Sequence, residues 1–549
     1  LKNIKNKKLF IPIIILLAII LINWFVFGRR FFPTLNLRNP LLYFFILILF
    51  NIIILGTNDD KKIKNTFKIS GVFILLLIIG ILASGRLFRS RDFASISNIE
   101  DKENPEKRVA EIKKDKIPTI DRETADRIGN RAMGTIPELS GIYQSPSYYT
   151  TIIYKDRMTR VAPLEYSGFF SWLRNNKNGI PGYIIVDMIT GDYELVKLDK
   201  PIKYSSQEYF KRDIMNLLKR KYVNKFWFKP SFEIDDEGNP YWIVAERIKS
   251  IGFSGNITGD IFIIDAINGE IKQYSKDEVP DWVDRVYQTN TYLGYVKDKG
   301  MLSNGILNSL FAKTGTYKPT SSYPSDDEET IYDVGFSYIG LKDEEGKNRI
   351  YTYTGITSGA DRDKSNIGFV LMNNRTGEVE KYNNPMVEEY SAMSSAQGSV
   401  QEKGYKATFP TLLVNNNNFI YFMNLKDQAG LTKGYAIVDA DDYQKVFIGS
   451  SVNDVFNKYE TNNGTVDLSE NTETNKETKT TKTKTITVDE IHTQIKDSNT
   501  EYIIISDDKI FVLSAKNDNE YNGFRIKEND SLNIEYEENE YYNNIINIK

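Results

Sequence analysis

Asp260-Ile-Phe-Ile-Ile-Asp265-Ala-Ile-Asn268-Gly269-Glu-Ile-Lys-Gln-Tyr274 reads as a strand, a tight turn and a return strand, and the phrase recurs along the chain. Gly182 to Val196 carries it around Asp187 and Thr190-Gly191, and Gly368 to Tyr382 carries it around Asn373 and Thr376-Gly377. Gly434 to Tyr443 is a fourth copy, centred on Asp439, that has lost the turn glycine. Each full copy has a run of apolar β-formers, an Asp or Asn able to cap the turn, a Gly free to take positive φ, and a return strand. A repeated strand pair predicts a repeated α+β unit.

The neighbourhood of the copy at 260–274 is fuller. Tyr209 to Tyr222 places Phe210, Ile214, Leu217 and Leu218 at helical spacing, and Phe232-Glu-Ile-Asp235-Asp-Glu-Gly238-Asn-Pro-Tyr-Trp-Ile-Val244 reads as a hairpin. The order is helix, strand, strand, then the Asp-x-x-Asn-Gly hairpin. From Tyr209 to Tyr274 it resembles the PepSY module, which ends in a strand, Val/Ile-Asp-x-x-Thr/Asn-Gly and a return strand closing on an aromatic. Ile306 to Tyr382 resembles it with a longer insertion that includes Asp343-Glu-Glu-Gly346. Upstream, Asp121 is placed to cap a helix whose Ala125, Ile128 and Ala132 share a face. Phrases such as Ala162-Pro-Leu-Glu-Tyr166 and Asn424-Leu-Lys-Asp-Gln-Ala-Gly-Leu431 resemble those of large bacterial membrane proteins of unassigned function, over residues 118–458.

Three apolar runs precede the repeats. Leu9 to Gly28 and Phe67 to Gly85 each hold about twenty residues, enough at 1.5 Å per residue to cross a hydrocarbon core of roughly 30 Å. Leu41 to Gly56, about sixteen residues, is short of that length. The first run is too long for a signal-peptide core, lacks a small-x-small exit and meets Arg29-Arg30, so it reads as an anchor. Lys2, Lys5, Lys7 and Lys8, with the loop lysines Lys61, Lys62, Lys64 and Lys68, belong on the cytoplasmic side. Three spans then place everything after Gly85 outside, with Arg86, Arg89 and Arg91 pulling weakly the other way; two spans would place it inside.

Composition removes whole classes of chemistry. The 549 residues contain no cysteine, which excludes disulfides, Cys-ligated metal centres and a thiol nucleophile. His492 is the single histidine, so neither an HExxH zinc helix nor a Ser-His-Asp triad in the main body can be built. A net charge of −3 with both signs interspersed leaves no electrostatic footprint for nucleic acid. The 34 tyrosines and 30 phenylalanines, set among Gly, Asn and Asp turns, indicate β-rich domains.

Carboxylates remain. Asp187, Asp265 and Asp439 read as turn caps rather than ligands. Asp235-Asp-Glu-Gly238, Asp343-Glu-Glu-Gly346 and Asp361-Arg-Asp363 concentrate oxygens without EF-hand spacing. Ser506-Asp-Asp-Lys509 matches a Ser-x-x-Lys pattern but falls in a hairpin turn. Glu165, Glu233 and Asp284, near aromatic residues, are the nominations for a glycan hydrolase, whose two acids would stand about 5–10 Å apart in a cleft. Glu388 to Gly404 predicts a small-residue helix close against a sheet, with Glu389, Gln397, Gln401 and Glu402 as polar members and a ligand groove as the functional alternative.

The expected fold is α+β. A transmembrane anchor of helices (1–85) leads to a charged stalk (86–118) and a first α+β repeat (119–208). Two PepSY-like repeats of antiparallel sheet with packed helices (209–290 and 291–384) precede a degraded repeat (385–458), a flexible linker (459–485) and a small β-barrel, OB-like or SH3-like (486–549). The expected function is non-enzymatic: a membrane-anchored, extracytoplasmic binding or scaffold protein of the cell envelope. Its partners are the bilayer and an envelope protein, with no nucleic acid, cofactor or metal. The PepSY resemblance implies regulation of a peptidase or assembly of an envelope complex. The alternatives are the carboxylate glycan hydrolase and a subunit of a translocation or secretion complex.

Overall fold

A computed structural model describes residues 32–55, 59–109, 113–134, 138–139, 141–146, 148–320, 335–360, 366–462, 482–496, 499–507, 509–514, 526–538 and 543–548. The chain is mixed α+β and divides into two compact units, Leu1–Thr465 and Val466–Lys549.

Two apolar helices open the first unit: α1, Pro40–Leu55, and α2, Asp60–Ala83. Among the described residues α2, with 24 residues, is the one helix long and apolar enough to cross a membrane; α1, with 16, falls short. The run from Leu9 to Gly28 lies outside the described residues, so of the three expected spans one stands as a helix of full length. Asn51 of α1 donates to Ser70 Oγ of α2 at 2.9 Å, while Ile48, Ile53, Leu75 and Leu76 face outward.

The described residues of 86–118 are packed on the body and do not form the expected stalk. Arg86 Nε and Nη2 donate to the Asp298 carboxylate at 2.6 and 2.9 Å. Phe93, Val109 and Ile117 are buried, and β1, Ile99–Lys102, pairs in parallel with residues 379–382. The alternating charges belong to the outer faces of segments that these apolar side chains pin down.

Four α+β units follow with one strand order. The first has α3 (Arg122–Gly134), β2 (Tyr143–Gln144), β3 (Thr150–Tyr154), β4 (Arg157–Pro163), β5 (Glu165–Tyr166), an inserted α4 (Phe169–Asn175), and the hairpin β6 (Ile180–Asp187) with β7 (Tyr193–Ile202). β3 pairs with β4 and β2 with its continuation β5, while β4, β6 and β7 follow in order across the sheet. The second has α5 (Ile214–Lys221), β8 (Phe226–Trp227), β9 (Ser231–Ile234), β10 (Pro240–Ile251), β11 (Ser254–Asp265) and β12 (Ile271–Tyr274), with β8 and β9 both on β10. The third repeats this with α6 (Thr289–Leu302), β13 (Tyr317–Pro319), β14 (Ser337–Lys342), β15 (Asn348–Ser358), β16 (Asn366–Asn373) and β17 (Val379–Tyr382), to which β1 adds an edge. The fourth has α7 (Glu389–Gly398), β18 (Lys406–Ala407), β19 (Thr411–Asn415), β20 (Asn418–Lys426), β21 (Thr432–Asp439) and β22 (Val446–Gly449), closed by α8 (Val452–Asn462).

Every copy of the phrase is the last hairpin of its own sheet, and its turn is made the same way. Asp187 Oδ1 accepts from the N–H groups of Ile189 and Thr190 at 2.8 and 3.1 Å, Asp265 Oδ1 from Ile267 and Asn268 at 2.7 and 3.1 Å. Asn373 Oδ1 accepts from Arg375 and Thr376 at 2.9 and 3.2 Å, and Asp439 Oδ1 from Asp441 and Asp442 at 2.9 and 3.2 Å. Gly191, Gly269 and Gly377 all sit at φ of 76 to 79°, where L-residues with a Cβ are strained.

The units share cores in pairs. Tyr183 and Val161 of the first pack with Phe232, Trp242 and Phe262 of the second; Tyr353 and Phe369 of the third pack with Tyr421, Met423 and Ala396 of the fourth. Met158 and Met188 of the first join Leu293 and Val370 of the third.

Two boundaries differ from expectation. The helix read over 209–222 starts at Ile214, because Asp213 caps it by accepting from Asn216 N at 2.7 Å; Phe210 lies before it with φ of 59°. The first residues of the expected linker, 459–462, belong instead to α8, which carries the buried Tyr459; residues 463–481 lie outside the described residues.

The second unit is one six-stranded sheet of β23 (Lys482–Thr487), β24 (Glu490–Lys496), β25 (Asn499–Ser506), β26 (Lys509–Ser514), β27 (Ser531–Glu538) and β28 (Asn543–Ile548), in the order β23-β27-β28-β26-β25-β24. It forms a half-barrel over Ile504, Phe511, Leu513, Ile534 and Ile545. Closure of the expected OB-like or SH3-like barrel would need β23 paired with β24, and among the described residues these two strands are the edges of the sheet.

The shared cap yields a test. Asp265→Ala lowers the unfolding free energy by about 1–2 kcal/mol. Asp265→Asn costs clearly less, because Asn373 performs the same capping in the third unit. Equal losses in urea unfolding would remove the capping account.

Candidate functional site

A groove of about 290 Å³ opens where the first, third and fourth units meet. The start of β14 brings Phe336 and Tyr338, α7 brings Tyr390 and Met393, and the turn between β18 and β19 brings Phe409. The rings meet edge to face, Phe336 with Tyr338 at 5.4 Å and Tyr390 with Phe409 at 5.9 Å between centroids. The other end is polar. Lys426, at the end of β20, bridges Asp121 and Glu123, 3.1 Å from the latter. Asn424 Nδ2 donates to Thr119 O at 2.6 Å, and Asp121 also caps α3 through Thr124 N at 2.9 Å. Burial pushes the Asp121 carboxyl up, but the charge and hydrogen bond of Lys426 outweigh it and hold the group below its ordinary value.

Arg122, Arg160, Lys406 and Lys426 line the groove against only Asp121 and Glu123, so its lining carries net positive charge. A cavity of this size takes one or two side chains rather than a whole cofactor. Its chemistry suits an apolar anchor set beside a carboxylate.

Behind the apolar wall lies a buried acid. Glu389, the first residue of α7, accepts from Tyr353 Oη at 2.7 Å and from Asn366 Nδ2 at 3.4 and 3.5 Å. Burial pushes its carboxyl up to about 7. Gly355 makes room for it, since a Cβ there would stand 2.0 Å from Glu389 Oε1. The helix of small residues therefore presents its carboxylate to the core, while Ala392 and Ala396 bring the backbone close to the sheet.

Of the three acids nominated from sequence, the fold brings two together. Glu233 on β9 accepts from the backbone N–H groups of Asp284 and Arg285 at 2.9 and 3.2 Å, and Asp284 accepts from Ile153 N at 2.5 Å. Burial raises the affinity of both for protons, and the charge of Glu233 raises Asp284 further. They are 0 and 3% exposed, closed to any polymer substrate. Glu165, on β5, instead accepts from Gln207 Nε2 at 3.4 Å. Sequence reading passed over Glu208, which accepts from Trp172 Nε1 at 2.6 Å and Tyr166 Oη at 3.2 Å beneath the exposed rings of Phe169, Phe170 and Tyr209.

The remaining candidates are turn chemistry. Asp235 accepts from Glu237 N and Asn239 N at 3.2 and 2.7 Å, and Asp343 from Glu345 N and Lys347 N at 3.0 and 2.9 Å. Asp361 and Asp363 lie outside the described residues. Ser506 and Lys509 face each other across the β25–β26 turn, and His492 lies on the edge strand β24 beside Glu490 at 3.1 Å. Among the described residues no group of three or more His, Cys, Asp or Glu side chains is placed to hold a metal ion.

No family model and no curated protein matches this chain. Among solved structures, a crystal structure of a levansucrase mutant from B. megaterium aligns with 79% of this chain and 97% of that one, at 10% identity and a TM-score of 0.18. A superposition that loose carries no argument about fold or activity.

Glu389 gives a pH signature. The folded chain holds its proton up to a pH near 7, whereas an unfolded glutamate releases it near 4.3, so its contribution is full below that lower value and is lost as pH rises through 7. Glu389→Gln keeps the acceptor for Tyr353 and flattens the decline in stability between about pH 4.5 and 7. An unchanged slope in urea titrations across that window would refute the assignment.

Proposed function

We propose that this chain is a membrane-anchored, extracytoplasmic binding protein of the cell envelope, and that the groove between its first, third and fourth units takes a segment of a partner polypeptide. The carrying observation is how the apolar helices meet the body. Arg86, three residues past α2, is locked on Asp298 of α6, and Phe253 at the β10–β11 tip lies against Gly80 of α2. Leu87, Phe88, Leu307, Leu310 and Phe311 expose large apolar surface; Leu87 and Phe88 directly follow the helix, and Ile306 packs with Phe93 and Leu302. A body seated against a bilayer gives such side chains a place.

Orientation follows from charge. Lys61, Lys62, Lys64 and Lys68 stand at the start of α2 and the body at its end, which supports a cytoplasmic start and an outer body. The arginines that argued weakly against this are partly neutralised, Arg86 by Asp298 and Arg89 by Asp92 at 3.4 Å. A three-span anchor including α1 belongs to this proposal. So does the PepSY-like character of the units, supported by their helix-first strand order, with control of a peptidase or assembly of an envelope complex as the implied role.

The partner segment is acidic and apolar. A ring of Phe336, Tyr390 and Phe409 receives the anchor side chain, and Arg122 and Lys406 meet a neighbouring carboxylate.

Two measurements test the proposal. Because the chain has no cysteine, single cysteines report topology cleanly. In intact cells an impermeant maleimide labels Lys406→Cys and spares Asp60→Cys, and the reverse pattern would invert the orientation. For the groove, synthetic peptides with Phe or Leu beside Asp or Glu bind the purified chain, and Lys406→Glu with Arg122→Glu weakens them about tenfold or more while favouring Lys-flanked peptides. Affinities indifferent to both charge swaps would reject the groove as the site.

A further inference from the structure

The anchor meets the body at a second cavity, of about 420 Å³, whose charged lining is entirely basic. Lys219 of α5, Lys225, and Arg247 and Lys249 of β10 line it, and no Asp or Glu does. Its other side is the approach to α1: Leu35 N donates to Val223 O at 2.9 Å, and Asn39 caps α1 by accepting from Leu41 N at 3.2 Å. The cavity is therefore part of the joint itself.

Three of its four cations, Lys219, Lys225 and Lys249, have partners. Lys225 pairs with Glu246 at 2.5 Å, and Lys249 Nζ donates to Phe253 O at 2.6 Å. Arg247 differs. Its Nε is buried with no hydrogen-bond partner, and its guanidinium stands 5.7 Å from the Phe226 ring centroid. Among the described residues no carboxylate forms an ion pair with it, and burial alone pushes its pKa down. A half-buried arginine with an unmet N–H carries a desolvation cost that an anion in the adjacent cavity would offset.

We propose that this cavity binds the phosphate of an anionic phospholipid from the leaflet on the body's side, with Arg247 as the principal donor and Lys219 and Lys249 adding charge. The inference rests on the reading of α1 and α2 as an anchor. A lipid fits better than a free anion because of where the cavity lies. β10 runs down to the tip that touches Gly80 of α2, and Leu41, which lines the cavity, is 63% exposed, offering apolar contact to acyl chains. Tyr222 and Trp227 supply the amphipathic rings common at headgroup depth. The bound lipid would make the anchor and body a single rigid element.

The test uses the full chain in neutral detergent, with thermal unfolding followed against short-chain phosphatidylglycerol, the matching phosphatidylcholine, or inorganic phosphate. Phosphatidylglycerol raises the melting temperature and binds at least about fivefold more tightly than phosphatidylcholine. Arg247→Gln abolishes that preference and Lys219→Gln reduces it, the second variant serving if the first does not fold. Equal effects of the two lipids, or a preference surviving in both variants, would overturn the proposal. Inorganic phosphate matching phosphatidylglycerol at equal concentration would assign the cavity to a free anion and overturn the lipid. A carbonate wash of membranes separates the two readings: a chain released by the wash fails as an anchored protein, whereas a retained chain without lipid preference fails only here.

Discussion

The structure depends on one packing constraint: the central strand of a unit is buried on both faces, and one helix covers only one of them. β15 is buried from Arg349 to Thr357 and β20 from Phe419 to Lys426, so neither could exist in a solvated single layer. The neighbouring unit supplies the missing cover. This is why cores are shared by pairs of units and why the four units form one compact body rather than beads on a string.

The same constraint explains the buried charge at the junctions. The segment 279–287 must cross between the second and third units, and its backbone carbonyls need donors there. Arg375 supplies them to Val279, Pro280 and Val283, and Arg349 to Asp281. Glu233 answers the N–H groups of residues 284 and 285 from the other side. Two carboxyls that sequence presented as catalytic nominations are thus backbone acceptors in a buried interface, and their raised proton affinity follows from burial, with the charge of Glu233 adding to it at Asp284.

The groove and the basic cavity are both products of the assembly. The groove needs α3, β14, α7 and β20, contributed by three units, and the cavity needs the approach to α1 together with α5 and β10. Each is lined by residues of more than one element, four cations against two carboxylates in one and a half-buried arginine in the other.

Much was legible from local chemistry. The Asp-x-x-Thr/Asn-Gly turns, the Asp121 cap and the close-packed helix at Ala392 and Ala396 follow from rules acting within a few residues, and the spacing carries them. Three features were not legible. α6 was missed because Thr289, Leu293, Tyr295, Val296, Asp298 and Gly300 are all buried, so covering on several sides erases a helical period. The supposed stalk became β1 and its flanks because its partner strand lies about 280 residues away in sequence, near Tyr382. The small OB-like or SH3-like barrel expected at the end of the chain is a half-barrel sheet, because a strand pattern does not encode which edges meet. The sequence by itself determined the repeated unit, its turns and the apolar character of the helices before it, since these depend on nearest neighbours along the chain. Only the tertiary structure decided which carboxylates are buried, where the groove lies and how the apolar helices meet the body, because each depends on side chains brought together from distant units.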